Sequence, residues 1–133
     1  MKGAKTPTAT PGVVLDAGAF IALEKRDPVM THLVERFARE GTPLVTSAGV
    51  VAEIWRGGVS AQIPIALLLR RTRVVDLTHA IARILGRMLG LARTRDPIDA
   101  HIVLLARERG WSVLSADAAE LRAIDPTLPV EEI

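Results

Sequence analysis

The stretch Val13–Leu23, VVLDAGAFIAL, constrains this chain most. Ten of its eleven residues are apolar or glycine, and the eleventh is Asp16. An ionised carboxylate inside such a run is expensive unless something compensates it. Asp16 therefore either caps a helix at a turn or binds something positive. Three more acids, Glu53, Asp99 and Asp117, recur in similar settings and bear on the choice.

A chain of 133 residues suggests one domain, and 49% hydrophobic residues are enough to bury a core. Two Trp, two Phe and no Tyr leave that core to Leu, Val, Ile and Ala. With no Cys, disulfides and thiolate metal sites are excluded. No apolar run approaches the roughly 18 residues a membrane span needs. Lys2 and Lys5 ahead of an apolar run imitate a signal peptide, but Asp16 breaks that run, so the expected location is cytoplasmic. The net charge is only +2, yet fourteen of the cations are Arg and three are Lys. Arg matches phosphate bidentately, which suits a nucleic-acid partner, although Arg-rich solvated surfaces are common.

Residues 1–12 read as a flexible arm and 13–133 as a single domain. Val13–Asp16 reads as a short buried strand, followed by a short helix from Gly18 to about Lys25. Asp27-Pro28 opens a helix to Arg39, with Val29, Leu33, Val34 and Phe37 at helical spacing and a stop at Gly41. Pro43–Thr46 is a second strand. Ser47 caps a helix through about Arg56, and Ser60 begins another whose apolar stripe is Ile63, Leu67 and Leu68. Arg73–Leu77 is a third strand. Thr78 caps a long helix to Ala92, striped by Ile81, Ile84, Leu85, Met88 and Leu89. Asp96-Pro97 opens a helix to Arg109, Ser112–Ser115 is a fourth strand, and a short helix runs to Ile124. Leu128–Glu131 is a fifth, edge strand. Helices alternating with short apolar strands predict a three-layer α/β/α fold around a parallel sheet of four or five strands.

In such sheets, ligands sit outside the carboxyl ends of the strands. Asp16 ends the first strand and Asp117 lies two residues past the fourth. Glu53 follows the second strand on a helix, in the apolar run AGVVAEIW, whose neighbours argue against exposure. Asp99 lies in the first turn of the helix that precedes the fourth strand. Each has a plainer reading. Asp16 and Asp117 are able to cap the helices that follow them, and Asp96 with Asp99 resembles a capping box. Four carboxylates at one sheet edge would repel, and some would take up protons. A divalent cation removes that conflict, and all-oxygen ligation suits Mg2+ or Mn2+. His32, His79 and His101 are dispersed, which argues against zinc. A bound ion would activate water at a phosphodiester, and two ions would sit about 4 Å apart.

The blocks VVLDAGAFIAL, TSAGVVAEIWRGG, IDAHIVLLARERG and VLSAD together resemble the PIN-domain ribonucleases, and more narrowly the VapC-like toxins of bacterial toxin–antitoxin pairs. Their order and spacing agree with the family across nearly all of residues 13–131. The resemblance implies a Mg2+- or Mn2+-dependent endoribonuclease with Asp16, Glu53, Asp99 and Asp117 as its metal site. It also implies homodimerisation and inhibition by a cognate antitoxin that pushes a segment into the active-site groove. One departure stands out. The family often has Ser or Thr two residues after the first Asp, where this chain has Gly18. Ser115 is a candidate to return a hydroxyl from the other side, although a buried Ser bonded to backbone reads equally well. Asp96 reads as a helix cap with a supporting role in view. Arg56, Arg93 and Arg95 flank the acidic blocks as candidate RNA contacts or as solvated surface charge. Trp55 is a candidate to stack on a base, or a core or dimer-interface residue.

A response-regulator receiver needs a Lys near the cluster and adjacent acids at the first strand; the only Lys residues are Lys2, Lys5 and Lys25, and Asp16 stands alone, so it is disfavoured. A D-x-D phosphatase fails at Ala17-Gly18, and no G-x-G-x-x-G follows a strand. The remaining alternative is a catalytically inactive PIN-like module that binds RNA or protein.

Overall fold

The computed structural model describes residues 11–133. The arm expected over residues 1–12 falls outside them except for its last two residues. Five strands, β1 (Val13–Leu15), β2 (Leu44–Ser47), β3 (Arg73–Val75), β4 (Ser112–Ser115) and β5 (Val130–Glu132), form one sheet in the order β3-β2-β1-β4-β5. Every neighbouring pair is parallel. The seven helices are α1 (Ala17–Glu24), α2 (Pro28–Glu40), α3 (Ala48–Ile54), α4 (Ile63–Arg70), α5 (His79–Ala92), α6 (Pro97–Arg109) and α7 (Ala118–Ile124). A 3-10 turn over Ser60–Gln62 leads into α4, where a helix from Ser60 is expected. The expected α/β/α architecture is present.

Val14 and Leu15 of β1 and Val113 and Leu114 of β4 are buried. Parallel strands covered on both faces have no solvent side, which is why these short runs are apolar without alternation. Helix α1 packs against α2, α3 and α4, while α6 packs against β1, β2, α5 and α7. Phe20 from α1 and Ile102, Val103 and Leu105 from α6 complete the core.

Several apolar stripes differ from expectation. On α2 the core receives Met30 and Phe37, while Val29 is 63% exposed. On α4 it receives Ile65 and Leu68, while Ile63 and Leu67 are more than half exposed. Of the expected stripe on α5, only Leu85 is fully buried and Ile84 is exposed. The reason is clearest on α4, IPIALLLR. A helix apolar nearly all round does not fix its own rotation, so the docking of neighbours decides which side is covered.

The chain passes from β1 outward to β2 and β3, then returns to β4 on the other side of β1. The seam between β1 and β4 is thus the switch point of the sheet, where the crossovers before and after diverge and leave a crevice. Leu15 stands opposite Leu114 in that seam, so the residues just after them meet at its mouth.

Candidate active site

Asp16 and Ser115 occupy that mouth. Asp16 is 5% exposed. Its Oδ1 accepts from the Ala17 N–H at 2.8 Å, capping α1, and its Oδ2 accepts from the Ser115 hydroxyl at 2.7 Å. The capping reading of Asp16 is therefore correct for one oxygen only. The Ser115 hydroxyl also accepts from the Asp117 N–H at 2.9 Å, tying the start of α7 to the same point. Burial pushes the Asp16 carboxyl above the usual carboxylate range. The two hydrogen bonds pull it back, and the charges of Asp117 and Asp96 raise it again.

Asp117 precedes α7 but makes no capping hydrogen bond through its side chain, so its carboxylate is exposed and uncommitted. Asp96 is the true cap of α6, with Oδ1 accepting from the N–H groups of Ile98 and Asp99 at 2.9 and 3.1 Å. Asp99 therefore does not complete a reciprocal capping box among the described residues. Burial first, then the charges of Asp96, Asp16, Glu120 and Asp117, push its carboxyl up to about 7. Glu53 on α3 is exposed, against expectation. In a helix of seven residues only Val50 and Ile54 are fully buried, Ala48, Gly49 and Val51 are half-buried, and Ala52 and Glu53 are exposed. Even so, its carboxyl is raised by partial burial and then by Asp96, Asp16 and Asp117.

The four predicted acids thus share one electrostatic field, with Asp96 as a fifth member. No Lys or Arg side chain among the described residues lowers the pKa of Asp16, Glu53 or Asp99. As they stand, no three of the described acidic or His side chains are gathered tightly enough to cage an ion. The donor chemistry nevertheless fits a hard divalent cation. The set is all oxygen and lacks a compensating cation, and its exposed members, Glu53 and Asp117, line one groove.

A groove of about 700 Å³ opens beside these residues. Glu53, Asp117 and Asp27 line it, as do Lys25 and Arg26. Its wall along α1 includes Ala17, Gly18, Ile21 and Ala22. Gly18 is required by close approach, since a β-carbon there would stand 2.8 Å from Ala116 Cβ and 3.0 Å from Ala116 N. The hydroxyl that the family often carries at this position has no room, and Ser115 supplies one to Asp16 from β4.

Arg56, Arg93 and Arg95 do not line this groove. Arg56 turns back to the Trp55 carbonyl at 3.1 Å, and Arg93 ends α5 in a left-handed conformation, φ 59°. Trp55 is 42% exposed, so it is not a core residue. Ser47, expected as the cap of α3, accepts from the Gly49 N–H at 3.0 Å, whereas the roles of Gln62 and His101 carried no sequence signal. The Gln62 amide is buried and fully used. Its Oε1 accepts from the N–H groups of Arg56 and Gly57, and its Nε2 donates to the Ile54 carbonyl and to Glu24. It thereby secures the end of α3, next to Glu53, against α1. Buried His101 bonds through Nδ1 to the Ser47 hydroxyl at 2.6 Å, linking α6 to the start of α3, and its Nε2 lacks a partner. Burial lowers the His101 pKa.

The sequence matches the PIN domain family over residues 13–125, and the chain belongs to that family. No curated protein matches the sequence significantly. Among solved structures, the fold is similar to VapBC2 from Rickettsia felis bound to a DNA fragment from its promoter. That likeness covers 91% of this chain and 98% of that one at 16% identity, with a TM-score of 0.66. It is also similar to FitAB bound to an IR36 DNA fragment, over 90% of this chain and 94% of that one at 18% identity, TM-score 0.58. Among the described residues, no helix is long and apolar enough to cross a membrane.

Proposed function

We propose that this PIN-domain protein is a metal-dependent endoribonuclease that hydrolyses RNA phosphodiester bonds and acts as the toxin of a toxin–antitoxin pair. One observation carries the nuclease reading. At the sheet switch point, on top of burial, the charges of Asp96 and Asp117 push up the carboxyl of Asp16, and those of Asp16, Asp96 and Asp117 push up the carboxyls of Glu53 and Asp99, without an offsetting cation. Such an arrangement is costly for folding alone and suits a divalent cation. Asp16, Glu53, Asp99 and Asp117 would hold Mg2+ or Mn2+, which supplies a Lewis acid and an activated water when bound. Asp16 is oriented through both oxygens, by Ser115 and by the Ala17 N–H. Asp99, its carboxyl pushed up to about 7 without a cation, would give up its proton when the cation binds. Asp96 holds the first turn of α6, and so the Asp99 backbone, in place.

The likeness to VapBC2 and FitAB, both solved bound to DNA fragments, supports the toxin–antitoxin assignment. By the same reasoning, the partner is a small antitoxin, the toxin is a homodimer, and it works in the cytoplasm. The loose spacing of the acids favours a second reading, a PIN-fold module that binds RNA or protein without turnover. One experiment separates the two. The purified chain is incubated with total RNA and Mg2+ or Mn2+. Cleavage that EDTA abolishes, and that Asp16→Asn and Asp99→Asn lack, supports the nuclease. Absence of metal-dependent cleavage, or full activity in both variants, overturns it.

A further inference from the structure

We infer that Lys25 and Arg26 form a phosphate-binding wall that seats a single RNA strand in the groove leading away from the acids. This rests on the nuclease reading and names the far contact of its substrate. Helix α1 starts beside Asp16, and its eight residues rise about 12 Å before Lys25 is reached. Asp117, tied through Ser115 to Asp16, lines the groove at the start of α1, and the two cations line it past the end of α1 beside Asp27, whose Oδ2 is engaged by the Met30 N–H at 2.9 Å. Along the α1 wall Ala17, Gly18 and Ala22 are small and leave the channel clear, while Ile21, 39% exposed, offers an apolar surface to a sugar or base. About 700 Å³ admits a short stretch of one strand.

Both cations are available. They are exposed, and among the described residues neither forms an ion pair with a carboxylate. Their placement is fixed by backbone bonds. The N–H groups of Lys25, Arg26 and Asp27 donate to the carbonyls of Ile21, Leu23 and Ala22. Arg26 holds a left-handed backbone, φ 60°, in a turn that glycine would occupy without steric cost. The helices α2 and α6 end on left-handed Gly41 and Gly110 in such positions, and α5 ends on a left-handed Arg93. A guanidinium beside an ammonium, facing a groove otherwise acidic, suits a polyanion whose charges repeat along its length. RNA backbone fits that description once the Asp117 end carries its cation.

The test is fluorescence anisotropy of a labelled oligouridylate in Ca2+, measured across a salt series for the parent, Lys25→Gln, Arg26→Gly and the double variant. Each lost phosphate contact is expected to flatten the slope of log K against log salt by about 0.7. The double variant is expected to bind at least several-fold more weakly at low salt. Arg26→Gly is expected to melt no lower than the parent, which separates lost binding from unfolding. Arg36→Gln makes the same charge change on α2, where Arg36 pairs with Glu40 at 3.4 Å, and is expected to leave the slope unchanged. An equal effect there, or an unchanged slope in the double variant, overturns the inference. Competition by poly-glutamate at equal charge concentration would assign the cations to an acidic peptide and overturn it too. In those cases, cleavage by the parent that Asp16→Asn lacks leaves the nuclease standing. A parent that neither binds nor cleaves RNA removes both.

Discussion

The Ser115 hydroxyl donates to Oδ2 of Asp16 at 2.7 Å across the seam between β1 and β4. The bond opposes burial, which on its own drives that carboxyl toward its protonated form. Ser115→Ala is therefore expected to raise the Asp16 pKa further. The acid limb of metal-dependent RNA cleavage should move to higher pH, with little change on the alkaline side. Loss of a buried bond to an ionised partner should also cost about 1–3 kcal/mol of stability. A pH–rate profile and a urea melt check both effects. An unmoved acid limb would show that Ser115 matters to the fold alone.

Gly18→Ser restores the hydroxyl that relatives often carry, and it is expected to harm this chain. The new β-carbon would overlap Ala116, at 2.8 Å from its Cβ, and push the β4–α7 junction away from β1. Overpacking of this kind costs about 1–3 kcal/mol and would shift Asp117 along with the junction. Adding Ala116→Gly should recover part of the loss in thermal stability, since the backbone nitrogen of residue 116 remains close at 3.0 Å. A Gly18→Ser protein as stable as the parent would contradict this packing account.

The acids that belong together were legible because strand ends are legible. Short apolar runs closed by Asp16 or followed by Asp117 place those residues at one sheet edge whatever the details of packing. The hydroxyl of Ser115 was visible for the same reason. The exposure of Glu53 was not, because α3 is too short for its apolar run to report a face. The stripes of α2 and α4 misled similarly, since Val29, Ile63 and Leu67 fit a helical period yet lie outside. Gln62 and the Ser47–His101 pair left no trace, because a polar residue satisfied by distant backbone looks in sequence like any surface residue. Lys25 and Arg26 sit in a turn, and only the fold shows that the turn borders the acidic groove.

Gln62→Leu should loosen the site without touching Asp16, Glu53, Asp99 or Asp117. The amide serves the N–H groups of Arg56 and Gly57 and the carbonyl of Ile54 at once. A leucine of similar volume leaves all three without their partner, at a cost of about 2–3 kcal/mol. The expected signature is faster amide hydrogen exchange at Arg56 and Gly57, and weaker Mn2+ binding through a less ordered Glu53. Unchanged exchange at those two amides would mean that water replaces the amide without consequence.

Asp99 predicts an opposition between stability and function that pH should expose. In the folded chain its carboxyl is pushed up to about 7, from an ordinary 3.8. Between those values the folded state keeps the proton and the unfolded chain releases it. The Asp99 contribution to stability is thus fully present below pH 4 and is lost as pH rises through 7. The group is only half buried, so solvent screening holds the effect to about 1 kcal/mol. In EDTA at pH 8, Asp99→Asn should therefore melt a few degrees higher than the parent, and the gain should vanish near pH 4. Mn2+ should reverse the order, since a cation that binds only the folded state stabilises the parent in proportion to its affinity. Thermal melts over pH, with and without Mn2+, make the comparison. A variant that melts lower than the parent in EDTA at pH 8 would mean that the Asp99 carboxylate is compensated by a group within the fold.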